Sequence, residues 1–225
     1  MKNTVFPLIA LSLFISGTVL GQATTRVDLP SEYVRNTNLG NTILPENIEG
    51  SPYFSEGFIA GMVYTENGDP YSAMLRYNGY NDQIELKDMD KTIVLLKRDY
   101  ISATIGGQKY AIKKYKIKNS EKQGYFVVFN EGDIQLLLRQ EKEFVDAKEA
   151  STSYGNKIPP KFVENSSYYL KNADMAAVPT KLKKKDILKL LGNKKGLVNF
   201  VNSNGLKLKN EAEVVKLLNF ANQKI

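Results

Sequence analysis

No histidine and no cysteine occur among the 225 residues, which removes the usual general base, the thiol nucleophile and the soft metal ligands. Ser-His-Asp triads, Cys-His dyads, zinc hydrolase centres and His- or Cys-ligated haem all require side chains this chain does not have. Carboxylate chemistry survives that filter, since glycoside hydrolysis needs only two Asp or Glu on facing elements. The acids here fall in turns or alternate with apolar residues, as in QIELKDMD (Gln83–Asp90), a pattern that reads as the solvated face of a strand. Phosphate binding fares no better, because IGGQKY (Ile105–Tyr110) lacks the GxxxxGK[ST] spacing that surrounds a phosphate with backbone amides. Oxygen ligands for calcium cluster in TENGDPY and YNGYNDQIE, without the ligand spacing of an EF-hand. The sequence therefore leads us to expect no catalytic residue, no metal and no cofactor.

What remains is binding. KLKKKDILKLLGNKK (Lys181–Lys195) concentrates cations, and Lys183, Lys184, Lys185, Lys194 and Lys195 are the candidates to meet an anionic partner. Nucleic acid is a poor candidate for that partner: no Arg follows Arg139, and Arg provides most bidentate reading of phosphate and guanine. An acidic envelope component, either a protein or a lipid head group, fits better. A second candidate surface is aromatic. Tyr77 and Tyr80, with Arg76 between apolar neighbours, lie in SAMLRYNGYNDQIELK (Ser72–Lys87); Tyr is equally a good strand residue for cross-strand packing. Arg76, close in sequence to Asp82 and Glu85, has the placement of a cross-strand ion pair.

The elements that would position these residues follow from periodicity. Residues 1–21 combine an early Lys2, an apolar run and small residues at Val19 and Gly21, the pattern of a cleavable leader with a mature start at Gln22. No later segment has the length of a membrane span. Residues 22–56 read as an extended lead-in. From 57 to 156, short β-like runs are separated by ENGD, NGYND, GGQ, NSEKQG and NEGD, the spacing of antiparallel strands joined by turns. In KYAIKKYKI the apolar parity changes, so a β-bulge near Lys113 and Lys114 is expected to restore a single buried face. YFVVFN is apolar on both faces and should be a central strand covered twice. Residues 157–179 read as an irregular linker. From 180 to 225 the period becomes 3.6: three short amphipathic helices, two of them stopped by Gly192 and Gly205, and the third opened by Asn210 with Glu213 as a capping box. The expected fold class is α+β, mainly antiparallel β (meander, sandwich or partly open barrel), with a C-terminal bundle of short helices. Charge divides the same way. Residues 22–156 carry 16 bases against 19 acids, and residues 157–225 carry 14 lysines against 5 acids.

GSPYFSEGF, PYSAMLRYNGYNDQIELK and KKKDILKLLGNKKGLVNFVNSNGLKLKNEAEVVKLLNF together resemble a family of uncharacterised exported proteins of Gram-negative bacteria with a β-rich body and a Lys-rich helical end. The resemblance implies an envelope location, in the periplasm or on the outer cell surface, and a non-enzymatic role as a binding or scaffolding module. It assigns no catalytic residues. Two alternatives stand beside it: a carrier holding a lipid or other apolar ligand in a curved sheet, and a carboxylate-dependent glycoside hydrolase.

Overall fold

A computed structural model of the chain describes residues 28–37, 47–66, 68–118, 120–148 and 157–223. The leader-like segment lies outside the described residues. The fold is α+β and mostly antiparallel, built on one open sheet of eleven strands in a single layer order. Strands β2 (Ile59–Tyr64), β3 (Tyr71–Asn78), β4 (Gln83–Asp88) and β5 (Lys91–Leu95) form a meander. Short β1 (Val34–Asn36) in the lead-in closes its outer edge against β5. The chain then crosses to the other side of β2 and resumes with β6 (Ser102–Ile105), β7 (Gln108–Ile117), β8 (Ser120–Val128) and β9 (Ile134–Arg139).

After β9 the backbone leaves the main sheet as a separate ribbon, β10 (Lys142–Val145) against β11 (Lys161–Glu164), and returns as β12 (Ser167–Asn172) beside β9, with β13 (Val178–Thr180) outermost. The expectation of an irregular linker over 157–179 is thereby corrected: three strands lie in it or reach into it. Each is short, and Pro159, Pro160 and Pro179 flank or interrupt them, which gives these residues the composition of a linker. Register against already formed strands supplies the order that local pattern does not show.

The parity change in β7 is real, but no bulge accompanies it. The β7–β8 register runs unbroken from Lys109↔Val128 to Ile117↔Ser120. Tyr110 and Ile112 instead enter one core with Tyr125 and Val127, and Tyr115 enters another, on the opposite face, with Phe126, Leu137, Tyr169 and Ala177. A strand buried on both faces has no need to keep a single apolar parity. YFVVFN is accordingly a central strand. Its second face is covered by the sheet's own far end, which curls until Ala177 exchanges backbone hydrogen bonds with Lys114 and Lys116 of β7.

Three helices follow, α1 (Lys184–Leu190), α2 (Lys195–Ser203) and α3 (Glu211–Asn222). Gly192 and Gly205 lie just past the ends of the first two at φ +74° and +61°, a left-handed conformation that glycine adopts without strain. Ile187, Leu188, Leu191, Leu197, Val201, Val214, Leu217 and Leu218 pack on Ile134 and Leu136 of β9 and Leu170 of β12. This is the face that also carries Tyr125 and Val127, so the helices extend the first core along the sheet. Asn222 clamps the end of α3: its Oδ1 accepts from Ile134 N at 2.9 Å, and its Nδ2 donates to the carbonyls of Glu131 and Ile134. None of the described helices is long and apolar enough to cross a membrane.

Candidate functional site

Arg76 and Glu85 stand opposite each other in the β3–β4 register, and the ion pair expected from their spacing forms at 2.7 Å. The guanidinium lies over the rings of Tyr53, at 3.8 Å, and Phe58, at 4.3 Å. Its remaining donors reach the Tyr53 hydroxyl and the Glu56 carbonyl. Glu85 is fully buried, and its second oxygen accepts from Asn78 Nδ2 at 3.0 Å. Burial, followed by the nearby Glu85 charge, raises the Tyr53 pKa. All of these groups are mutually satisfied, so the cluster locks the lead-in onto the sheet.

Tyr77 and Tyr80, grouped by the sequence, separate in space. Tyr77 is buried beside Tyr110, with ring centroids 5.1 Å apart, and donates to Asp82 Oδ1 at 2.8 Å. Tyr80 sits half exposed on the intervening turn, edge-on to Phe162 of β11 at 5.4 Å. Asn78 shapes that turn by accepting from the amides of Tyr80 and Asn81. Asp82 completes it at φ +52°, where Asp and Asn are the best tolerated non-glycine residues.

Asp82 proves to be the main polar junction of the body. Its Oδ1 accepts from Tyr77 and from the Tyr125 amide at 3.1 Å and lies 3.5 Å from the Arg139 guanidinium, while Oδ2 accepts from Lys97 at 2.6 Å. It therefore joins the β3–β4 turn, the β5–β6 crossover, β8 and β9. Arg139 is buried. It also binds Glu141 at 2.9 Å and lies 4.8 Å from the centroid of the Tyr115 ring. Desolvation works against its charge, but Asp82 and Glu141 outweigh it and leave the guanidinium more basic than usual. Gly124 makes room for this junction, because a Cβ there would come within 2.1 Å of Arg139 Nη1 and 2.9 Å of Asp82 Oδ2. Asp82 and Arg139 lie far apart in sequence, and the turn chemistry of NGYND already accounts for an Asp, so neither was legible as a junction.

The five lysines singled out from the sequence fall in two groups on the helical end: Lys183, Lys184 and Lys185 at the start of α1, with Lys184 beside Asn202 near the end of α2, and Lys194 and Lys195 at the start of α2. Lys183 and Lys194 are the residues preceding α1 and α2, Lys184 and Lys195 are the first residues of those helices, and Lys185 follows in the first turn of α1. Every one is exposed. Within residues 181–223 ten lysines face three acids, and all ten are exposed. Two of the three acids are directed at neutral partners. The Tyr168 hydroxyl donates a short hydrogen bond to Glu211, and Glu213 accepts from the amides of Lys207 and Lys209. The Asn210 side chain caps α3 by accepting from Glu213 N at 2.9 Å, so only half of the expected reciprocal capping box forms. Lys184 also turns to a neutral partner, Asn202 Oδ1, at 2.8 Å. Ten lysines against three acids leave this segment cationic.

Comparison of the chain with protein-family models, with curated proteins and with solved structures finds no match. The functional reading therefore rests on the residues themselves.

Proposed function

We propose that the protein is an exported, non-enzymatic binding module whose helical end docks on an anionic component of the cell envelope. The observation that carries this reading is the excess of exposed lysines over residues 181–223, ten against three acids, two of which, Glu211 and Glu213, engage a phenol and backbone amides. Individual exposed pairs contribute little, about 0–1 kcal/mol each, so recognition by this face is multivalent and salt-sensitive. The leader-like first 21 residues and the resemblance to exported β-rich proteins support the location. The face that an apolar-ligand carrier would use carries Leu75, Ile84, Leu86 and Ile101, all fully buried, which favours docking over a carrier role.

The test replaces Lys183, Lys184, Lys185, Lys194 and Lys195 with Gln and measures co-sedimentation with purified envelope fragments. Expected is a several-fold loss of association that added salt reproduces in the parent, with the thermal midpoint nearly unchanged. Retained association together with a markedly lower midpoint would make the cluster structural and end this reading.

A further inference from the structure

Two adjoining clefts flank the outermost strand β13. The larger, about 550 Å³, lies between β12 and the start of α3, and its walls carry Ser166, Ser167, Tyr168, Lys181, Lys209 and Glu211. The smaller, about 480 Å³, continues past Thr180 to Lys181, Asp186 and Lys189 at the foot of α1. Thr180 and Lys181 belong to both. Each volume falls within the usual range for small-ligand sites, about 300–1,000 Å³. The two clefts thus share a wall and are treated together as one trough.

The chemistry of the walls is mixed in a particular way. Lys181 and Lys209 present two ammonium groups at the larger cleft. Glu211 lines the same cleft and remains ionised, its carboxyl held below the usual range by the Tyr168 hydroxyl and a backbone amide. Tyr168 is raised correspondingly, to about 12, by burial and then by Glu211. Its ring packs on Phe129, with centroids 6.3 Å apart. Ser166 donates to Glu164 and keeps its lone pairs. A simple dianion gains from the lysines but is repelled by Glu211. An aliphatic tail meets Leu182, Leu190 and Pro179 on the same walls but leaves the charged groups without partners. A molecule that carries both a carboxylate and several hydroxyl donors satisfies all of these groups, with the acid on Lys181 and Lys209 and the hydroxyls on Glu211 and the serines.

We propose that this trough binds an acidic oligosaccharide of the uronic-acid type, successive units occupying the two clefts on either side of Thr180 and Lys181. The inference rests on the envelope-docking reading and names the class of its anionic partner: a carboxylated glycan. The lysine face then contributes long-range attraction, and the trough selects the sugar.

The experiment is calorimetric titration of the full chain with tri-galacturonate, its methyl ester and inorganic phosphate as probes. Expected is saturable binding of the triacid, at least tenfold weaker binding of the ester, and no competition by phosphate at equal concentration. The exposed double variant K181Q/K209Q should keep its thermal midpoint and lose at least tenfold in affinity for the triacid. The five-lysine variant should lose no more than a few-fold at moderate salt. Equal binding of acid and ester, effective competition by phosphate, or an unaffected K181Q/K209Q variant each overturns the trough assignment. The two readings fail separately. If envelope association depends on the five lysines while the triacid does not bind, the trough proposal falls and the docking face stands. Loss of neither function in the five-lysine variant, with triacid binding intact, has the opposite meaning.

Discussion

Replacing Asp82 with Asn removes one negative charge and almost nothing else, which makes it the sharpest probe of the junction beneath the β3–β4 turn. Asn tolerates the φ of +52° found there and can still accept from Tyr77 and from the Tyr125 amide. Lost are the charge interactions with Lys97, at 2.6 Å, and Arg139, at 3.5 Å. The Lys97 side chain is 40% exposed, so its share is at most about 1 kcal/mol. Arg139 is different, with a side chain only 7% exposed. Removing the partner of a buried charge costs about 3–5 kcal/mol when nothing else compensates. Here Glu141 and the Tyr125 carbonyl remain bound to the guanidinium, and the cost falls to about 2 kcal/mol. Asp82→Asn should therefore lower the unfolding free energy by about 2–3 kcal/mol. Asp82→Ala forfeits two further hydrogen bonds at about 1 kcal/mol each and places a Cβ-bearing apolar residue in the left-handed region, for a total of about 4–6 kcal/mol. Urea unfolding with a common slope measures both, and the cycle with Arg139→Met should give a coupling of at least about 1 kcal/mol. An Asn variant within about 0.5 kcal/mol of the parent, or additive single effects, would refute the claim that this charge joins four segments of the sheet.

Two further outcomes follow from the same geometry. Asn222→Ala removes the hydrogen bonds to Ile134 and Glu131 that hold the end of α3 and should cost about 2 kcal/mol; binding of an apolar dye should rise as Ile134 and Leu136 become transiently uncovered, and unchanged dye binding and stability would show the apolar stripe alone to suffice. Burial raises the pKa of Tyr77, Tyr110 and Tyr125 in the fold, so the stability contributed by keeping them protonated is complete below the unfolded value near 10 and lost as pH rises above it. Ultraviolet titration should accordingly show these phenols ionising together with loss of the β dichroism, and full ionisation with the dichroism intact would contradict their burial.

How far the sequence revealed this molecule depends on how local each feature is. The Ser72–Lys87 hairpin was legible because Ala73, Leu75 and Tyr77 share one face with Ile84 and Leu86 across a turn of polar residues, and all five are buried. The Arg76–Glu85 pair was legible for the same reason, since a hairpin register converts a short sequence separation into opposition. The helices announced themselves by apolar stripes and by Gly192 and Gly205. By contrast, β11, β12 and β13 are at most six residues long, and nothing in their own pattern distinguishes them from a linker. Their strand state is imposed by partners elsewhere in the chain: β11 pairs with β10, β12 with β9 over six positions from Ser167↔Arg139 to Asn172↔Ile134, and β13 with β12.

Parity and charge each show how a correct observation needs tertiary context before it acquires meaning. The parity change in KYAIKKYKI demands a bulge only if β7 has a single buried face. The sheet curls at its far end until Ala177 meets β7, which gives Tyr115 a second core to enter, and the same residues then require an unbroken strand. In the helical end, composition gives ten lysines and three acids between 181 and 223, a ratio that internal ion pairing would soften. Glu211 accepts from Tyr168 of β12 and Glu213 from the amides leading into α3. The docking that secures α3 to the sheet thus engages one neighbouring carboxylate and the capping of the helix engages the other. Lys181, Lys209 and Glu211 line one cleft, and in the proposed reading that combination of charges is what a hydroxyl-rich polyanion recognises.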